Sequence, residues 1–158
     1  MNATQSVALA HLLHTQEVAA LGTLHDGEPF VSMVPYALLP GGADFVIHVS
    51  RLAAHTKDML ANPAVSLLVI ASPESQVSAQ ARPRVTIQGS AKPCADSAPQ
   101  YGEAKRAYLT RFPHAADLFS FADFSLFVIA PRSARFIGGF AQAASIGAET
   151  LAHIISGK

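Results

Sequence analysis

The stretch DFVIHVS-RLAAHTKDMLANP-AVSLLVIA, residues 44–71, decides how this chain folds. Phe45 to Val49 is a short run, apolar apart from His48, of the length of a buried strand. Ser50 then opens a short helix as its N-cap. Asn62-Pro63 stops that helix, because proline lacks the N–H and its ring clashes with the preceding turn. Ala64 to Ala71 returns as a second buried strand. The opening of the helix gathers Ser50, Arg51, His55, Thr56 and Lys57, the densest collection of anion-friendly groups in the sequence. A helix N-terminus carries unpaired N–H groups and partial positive charge. The cluster is therefore either an anion seat or an ordinary surface helix with solvated cations. Lys57 lies two positions past His55, on a different face from Arg51 and His55.

Working outward, Ser6 to Ala20 has the apolar spacing of an amphipathic helix, with His11 and His14 three apart on it. From Val18 the period changes, and Asp26-Gly27 between two apolar runs predicts a hairpin, since glycine takes positive φ cheaply. Pro35, inside the second run, cannot donate to a sheet ladder and marks an edge, a bulge or a place facing a ligand. Pro40-Gly41-Gly42 turns the chain into the stretch already read. Residues 72–82 are a connection, and RPRVTIQGSAKP, residues 82–93, reads as a further strand, with Val85 and Ile87 alternating against Thr86 and Gln88. Tyr101 to Phe112 is a helix stopped by Pro113, and Ala122–Ala130 and Ser133–Ile137 are the last two strands. About six strands, with helices set between them in no regular βαβ rhythm, predict an α+β fold with a mainly antiparallel barrel. No linker or repeat interrupts the chain, so residues 1–158 read as a single domain.

Half of the 158 residues are hydrophobic and only 14% are charged, which points to apolar surface hidden in an oligomer. Eleven Lys and Arg balance eleven Asp and Glu, which argues against a nucleic-acid binder relying on bulk positive charge. Residues 1–50 contain no Lys or Arg, and the first is Arg51. The single Cys94 excludes an intrachain disulfide and a multi-cysteine metal site. With no signal-like N-terminus and no membrane-length apolar run, the expected location is the cytoplasm and no membrane partner is expected.

No Gly-x-Ser-x-Gly elbow and no GxGxxG after a strand occur, so neither a hydrolase triad nor a Rossmann site is supported. Arg84 and Arg135 are charges inside apolar runs: each is either an outward strand arginine or a donor to an anionic ligand. His48 reads as a satisfied strand histidine, Phe119, Phe121, Phe124 and Phe127 as core or interface aromatics, and Tyr36 and Tyr108 as core with a polar tip.

Four motifs follow in order: Gly27-x-Pro29-x-Val31-Ser32-Met33-Val34-Pro35-Tyr36, Val49-Ser50-x-Leu52-Ala53-x-His55-Thr56, Asn62-Pro63-x-Val65-Ser66-Leu67-Leu68 and Arg84-x-Thr86-x-x-Gly89. Together with Gly138-Gly139-Phe140 they resemble the pyridoxamine 5′-phosphate oxidase-related FMN-binding split-barrel superfamily, in the branch that includes haem-utilisation and haem-degrading split-barrel proteins. The resemblance covers nearly all of residues 5–145. It implies a six-stranded mainly antiparallel split β-barrel with peripheral helices, working as a homodimer with FMN sites at the subunit interface. Ser32, Met33 and Val34 would lie along the flavin ring, Ser50, His55, Thr56 and Lys57 would hold the phosphate end, and Arg84 would contact the flavin from one subunit or the other. The resemblance implies a flavin-dependent oxidoreductase acting on a small molecule, without naming a catalytic residue. Ala53, Ala54 and His55 stand where true pyridoxamine phosphate oxidases have Ser-Arg-Lys, and the chain has no Trp, which sets it apart from those enzymes. The alternatives are a haem-binding or haem-degrading protein, with His153 or another histidine on the iron and Arg135 near a propionate, a non-catalytic flavin-binding protein, and a structural dimer with an empty cleft.

Overall fold

The computed structural model describes residues 1–74, 77–139 and 142–157. Helix α1 (Ala3–Thr15) opens on Asn2, whose side chain accepts the Gln5 N–H while the Gln5 side chain accepts the Asn2 N–H. It starts and ends earlier than its apolar spacing predicts, because Val18 to Ala20 already belong to the sheet. Strands β1 (Val18–His25) and β2 (Glu28–Pro35) form the expected hairpin. Asp26 and Gly27 both have positive φ, 50° and 85°, the backbone of a tight two-residue turn matched to strand twist.

The two-residue β3 (Ala37–Leu38) and β4 (Phe45–Ser50) follow, then helix α2 (Ala54–Ala61) and β5 (Ala64–Ile70). Next come β6 (Arg84–Cys94), helix α3 (Tyr101–Arg111), a 3-10 stretch over Pro113–Ser120, β7 (Phe124–Gly139), β8 (Gln142–Gly147) and helix α4 (Ala148–Ser156). The strands run in the order β2-β1-β5-β6-β7-β4-β3, every pair antiparallel, with β8 added to β7. Strands β2 and β3 lie at opposite ends of this path, yet only Tyr36 separates them in sequence. The sheet must therefore curl until its two ends meet, which is what makes it a barrel.

Among the described residues eight strands replace the expected six, for local reasons. The apolar run after Pro29 breaks at Tyr36, which is fully buried and donates its hydroxyl to the Leu13 carbonyl at 2.9 Å. The two predicted final strands are instead one continuous β7, and the tail supplies β8. Strand β7 pairs with β6 on one side along most of its length. On the other side it pairs with β4 over residues 124–129 and with β8 over residues 133–139. Pro131 sits at that fork, where the missing N–H does no harm, and the register shifts between Gln88 and Gly89 opposite it. The fold is an α+β split barrel.

Alternation along the strands divides the interior in two. Phe45, Ile47 and Val49 face into the barrel with Leu21, Leu67, Ile87 and Phe136. Val46 faces outward with Leu126 and Val128, under a layer made by Ala104, Tyr108 and Phe112 of the α3 region. Strand β4 is thus covered on both faces, as its nearly continuous apolar run requires.

Candidate functional site

The helix start at residues 50–57 differs from the sequence expectation. Helix α2 begins at Ala54, with Ala53 at the capping position and no side-chain cap among the described residues. Ser50 is not the cap, because a segment 70 residues further on engages it. Its hydroxyl donates to the Asp123 carboxylate at 3.1 Å and accepts the Leu52 N–H at 3.1 Å. The Arg51 guanidinium donates to the Ala122 carbonyl. Thr56 is fully buried and donates its hydroxyl to the Ser50 carbonyl at 2.7 Å. Lys57 is exposed on the other face. The structure thus brings Ser50, Arg51 and Thr56 together, with their polar atoms turned toward the protein and a carboxylate already among them.

Two of the expected flavin residues meet directly: Ser32 Oγ lies 3.1 Å from His55 Nδ1. Their neighbours follow the strand period, which sends Val34 into the core and leaves Met33 62% exposed on the opposite face. His55 Nε2 is enclosed with no partner among the described residues. Burial holds the His55 imidazole below its ordinary pKa, an effect the nearby Asp58 opposes. Asp58, one helical turn on, is itself buried and accepts from Thr23 Oγ1 at 2.8 Å and from His25 Nδ1 at 2.7 Å. Burial alone would push the Asp58 carboxyl up, but the bonds from His25 and Thr23 outweigh it and leave it below its usual value. The bond to Asp58 raises the His25 pKa in turn. Thr23, His25 and Asp58 were not picked out from sequence. Their only linear trace is a pair of polar residues alternating with Gly22 and Leu24 near the end of β1.

Arg84 stands apart from these groups within one protomer. It opens β6, three strands over from β2 in the sheet, and its guanidinium donates to the Gln80 and Arg82 carbonyls at 3.0 and 3.1 Å. Gly138 and Gly139 end β7, and Phe140 lies outside the described residues.

A wide groove of about 940 Å³ runs between α1 and α4. Val7, Ala10, His11 and His14 line one side, one face of α1 by their spacing; His153 and Ile154 line the other. His14 Nε2 is engaged with the Ile155 carbonyl at 3.1 Å, while His11 and His153 are exposed. Strand β8 forms part of the lining through Ser145 and Ile146, and Arg135 on β7 donates to Ser145 Oγ at 3.2 Å. Among the described residues no group of three or more His, Cys, Asp and Glu side chains is placed to hold a metal ion. None of the described helices is long and apolar enough to cross a membrane.

The comparisons with known proteins agree with this architecture. The chain is 36% identical over 119 residues to the chloroplastic non-canonical heme oxygenase HOZ of Arabidopsis thaliana, a match covering 75% of this chain and 35% of the relative. It is 26% identical over 130 residues to the heme oxygenase HutZ of Vibrio cholerae serotype O1, covering 82% and 73% respectively. The chain thus spans about a third of the first relative's length and about three quarters of the second's. A solved heme binding protein from Mycobacterium smegmatis superposes with a TM-score of 0.85 at 27% identity, over 96% of this chain and 61% of that one. Residues 7–138 match the family model for pyridoxamine 5′-phosphate oxidase. The chain therefore belongs to the pyridoxamine 5′-phosphate oxidase-related split-barrel family, in the branch that includes the haem-utilisation and haem-degrading proteins.

Proposed function

We propose that this protein binds haem, in the groove between α1 and α4, and works as a homodimer. The observation that carries this reading is the groove itself: two facing helices with apolar walls and three exposed histidines, of which His14 is engaged by the Ile155 carbonyl and His11 and His153 have no ring hydrogen bond among the described residues. Its volume is at the upper end of the roughly 300–1,000 Å³ typical of cofactor sites. His153 is the candidate iron ligand, since an exposed imidazole keeps a lone pair free for the metal. Arg135, held to Ser145 on the groove wall, would meet a propionate. Val7, Ala10 and Ile154 supply the apolar surface a porphyrin needs. The names of the relatives, heme oxygenases and a heme binding protein, favour the same ligand. Bound haem would supply redox-active iron; the chain's part is to ligate, orient and shield it. The dimer reading rests on the outer face of β2, an end strand of the sheet, where Val31 is 68% and Met33 62% exposed.

Titration with haemin, followed by the Soret band, tests the proposal. Saturable binding should be weakened at least tenfold in His153→Ala and little changed in His14→Ala, whose ring is already engaged. Unchanged binding in a His11→Ala/His153→Ala double variant would remove the groove from consideration.

One observation favours a second reading, FMN binding at the interface: Ser32 and His55 lie within hydrogen-bond distance on adjoining elements. On that reading Ser32, Met33 and the Val34 backbone would line the flavin, His55 and Lys57 would face its phosphate end with Ser50 and Thr56 bracing the turn, and Arg84 would come from the partner subunit. Flavin fluorescence quenching decides it. His55→Ala should weaken FMN at least tenfold, about 1.4 kcal/mol, and no binding by the wild type would end this reading. With either ligand, cytoplasmic residence is the simplest assignment for a chain with one buried cysteine.

A further inference from the structure

His48 was expected to be a satisfied strand histidine, and it is not. It lies on the outer face of β4 at 7% exposure, stacked on Phe119 at 3.8 Å between ring centroids with only 5° between the planes. The Tyr108 ring meets it edge-on and the Phe124 ring lies tilted against it. Its Nδ1 is sealed from solvent and has no hydrogen-bond partner among the described residues. The ring forms part of the wall of a cleft of about 410 Å³, roofed by the 3-10 stretch after α3. This cleft shares no lining residue with the groove between α1 and α4.

The chemistry of the cleft follows from which nitrogen carries the proton. An orphaned buried N–H is rarer and costlier than an orphaned acceptor. The sealed Nδ1 therefore takes the lone pair, and Nε2, the ring nitrogen not sealed off, carries the hydrogen toward the cleft. Burial, aided by Lys105, holds the His48 pKa down at about 4, so the imidazole is neutral at physiological pH and offers one N–H donor. Lys105 stands over the Phe119 ring at 5.0 Å. Arg51 also lines the cleft, and a guanidinium has five N–H donors, so its bond to Ala122 leaves others for a ligand. Burial raises the Cys94 thiol pKa, so no thiolate repels an anion there. Two carboxylates oppose an anion here: Asp123, which accepts from Ser50 next to Arg51, and Asp96, an exposed residue beside Tyr101, whose hydroxyl is kept protonated by burial and by the Asp96 carboxylate. Phe119, Phe121 and Phe124 give the cleft aromatic walls, and Phe121 is 53% exposed.

We propose that this cleft is a second small-molecule site that takes a single-ring aromatic carboxylate, its carboxylate held by His48 Nε2–H and Arg51 and its ring packed against the phenylalanines. The cleft accommodates one ring with room to spare, and the donors call for an acceptor group that is anionic. The site is separate from the haem groove, so the two readings stand or fall apart.

Isothermal titration calorimetry with benzoate as the probe, and benzamide as its neutral counterpart, tests it on the full chain. Benzoate should bind saturably and benzamide at least tenfold more weakly. Arg51→Gln and His48→Phe, which keeps the stack on Phe119, should each weaken benzoate at least tenfold while haemin titration stays as in the wild type. Absence of benzoate binding by the wild type, equal binding of benzamide, or wild-type affinity in His48→Phe would each overturn the proposal. A readout needing no variant is the imidazole ¹⁵N spectrum. His48 should show the Nε2–H tautomer, with Nε2 moving on benzoate addition. An Nδ1–H tautomer, or no movement at saturating benzoate, would refute the assignment.

Discussion

Gly89→Ala perturbs the point at which the barrel splits. A methyl at Gly89 would lie 2.6 Å from the Ala130 carbonyl oxygen, 3.2 Å from its carbon and 3.2 Å from Ile129 Cγ2. Two of these three atoms are backbone and cannot rotate away, so β6 and β7 must move apart at the fork beside Pro131. Overpacking of this kind costs about 1–3 kcal/mol. Taking about 2 kcal/mol, and about 2–4 °C of Tm per kcal/mol for a chain of this length, the variant should melt about 4–8 °C below the wild type. Gly102→Ala is the matched control: its methyl meets nothing within 4 Å, and it lies in α3. Alanine there should be neutral or stabilising by up to about 1 kcal/mol. Thermal melts by circular dichroism on the three proteins provide the comparison. A Gly89→Ala protein melting no lower than the Gly102→Ala protein would refute the claim that close approach at this glycine shapes the fork.

Two further predictions concern helix α2 and the residues packed on it. The pKa of His25 is raised by Asp58, so its share of the stability is full below 6.5 and fades as pH climbs past the raised value. Asp58 is lowered from 3.8, so its share is present above 3.8 and is lost as pH falls through the lowered value. Asp58→Asn should therefore destabilise most between about pH 4 and 6.5, and urea midpoints measured across pH should converge with the wild type at the acid end and draw closer at the alkaline end, where only the Thr23 bond to Asp58 remains; a pH-independent difference would break the pairing. Thr56→Val removes the hydroxyl that holds the Ser50 carbonyl while keeping the side-chain shape. It should cost about 1–2 kcal/mol in urea unfolding, and an unchanged midpoint would show that the turn before α2 does not depend on that bond.

The parts of the fold that could be read from sequence were those set by neighbours in the chain. Asp26-Gly27 announced its hairpin because the turn's backbone needs that glycine, and Asn62-Pro63 stopped α2 where it should. Ser50 was misread as a cap because the competing partner, Asp123, arrives from a distant segment. Strand β7 was cut in two because a proline normally ends a strand; its continuity depends on Gly89 across the sheet. At the site, Ser32 and His55 were both named and do meet, while Asp58 and its partners were missed because each looks ordinary in its own stretch. His48 carried a faint signal, one polar residue in an otherwise apolar strand buried on both faces. The tail after Gly139 offered small residues and little period, and β8 forms by adding to an existing edge of β7.

The fork in β7 also constrains how the protein is made. Strand β4 has only the two-residue β3 on one side, and its main partner, residues 124–129, is synthesised some 75 residues later. Until that segment leaves the ribosome, Phe45 to Val49 is an apolar strand with an open edge, of the kind that pairs with other chains. The long separation between partners also makes closure slow, because loop entropy is lost before the ladder rewards it. Yield in cells should therefore be set less by the stability of the finished barrel than by what shelters β4 during those residues of synthesis.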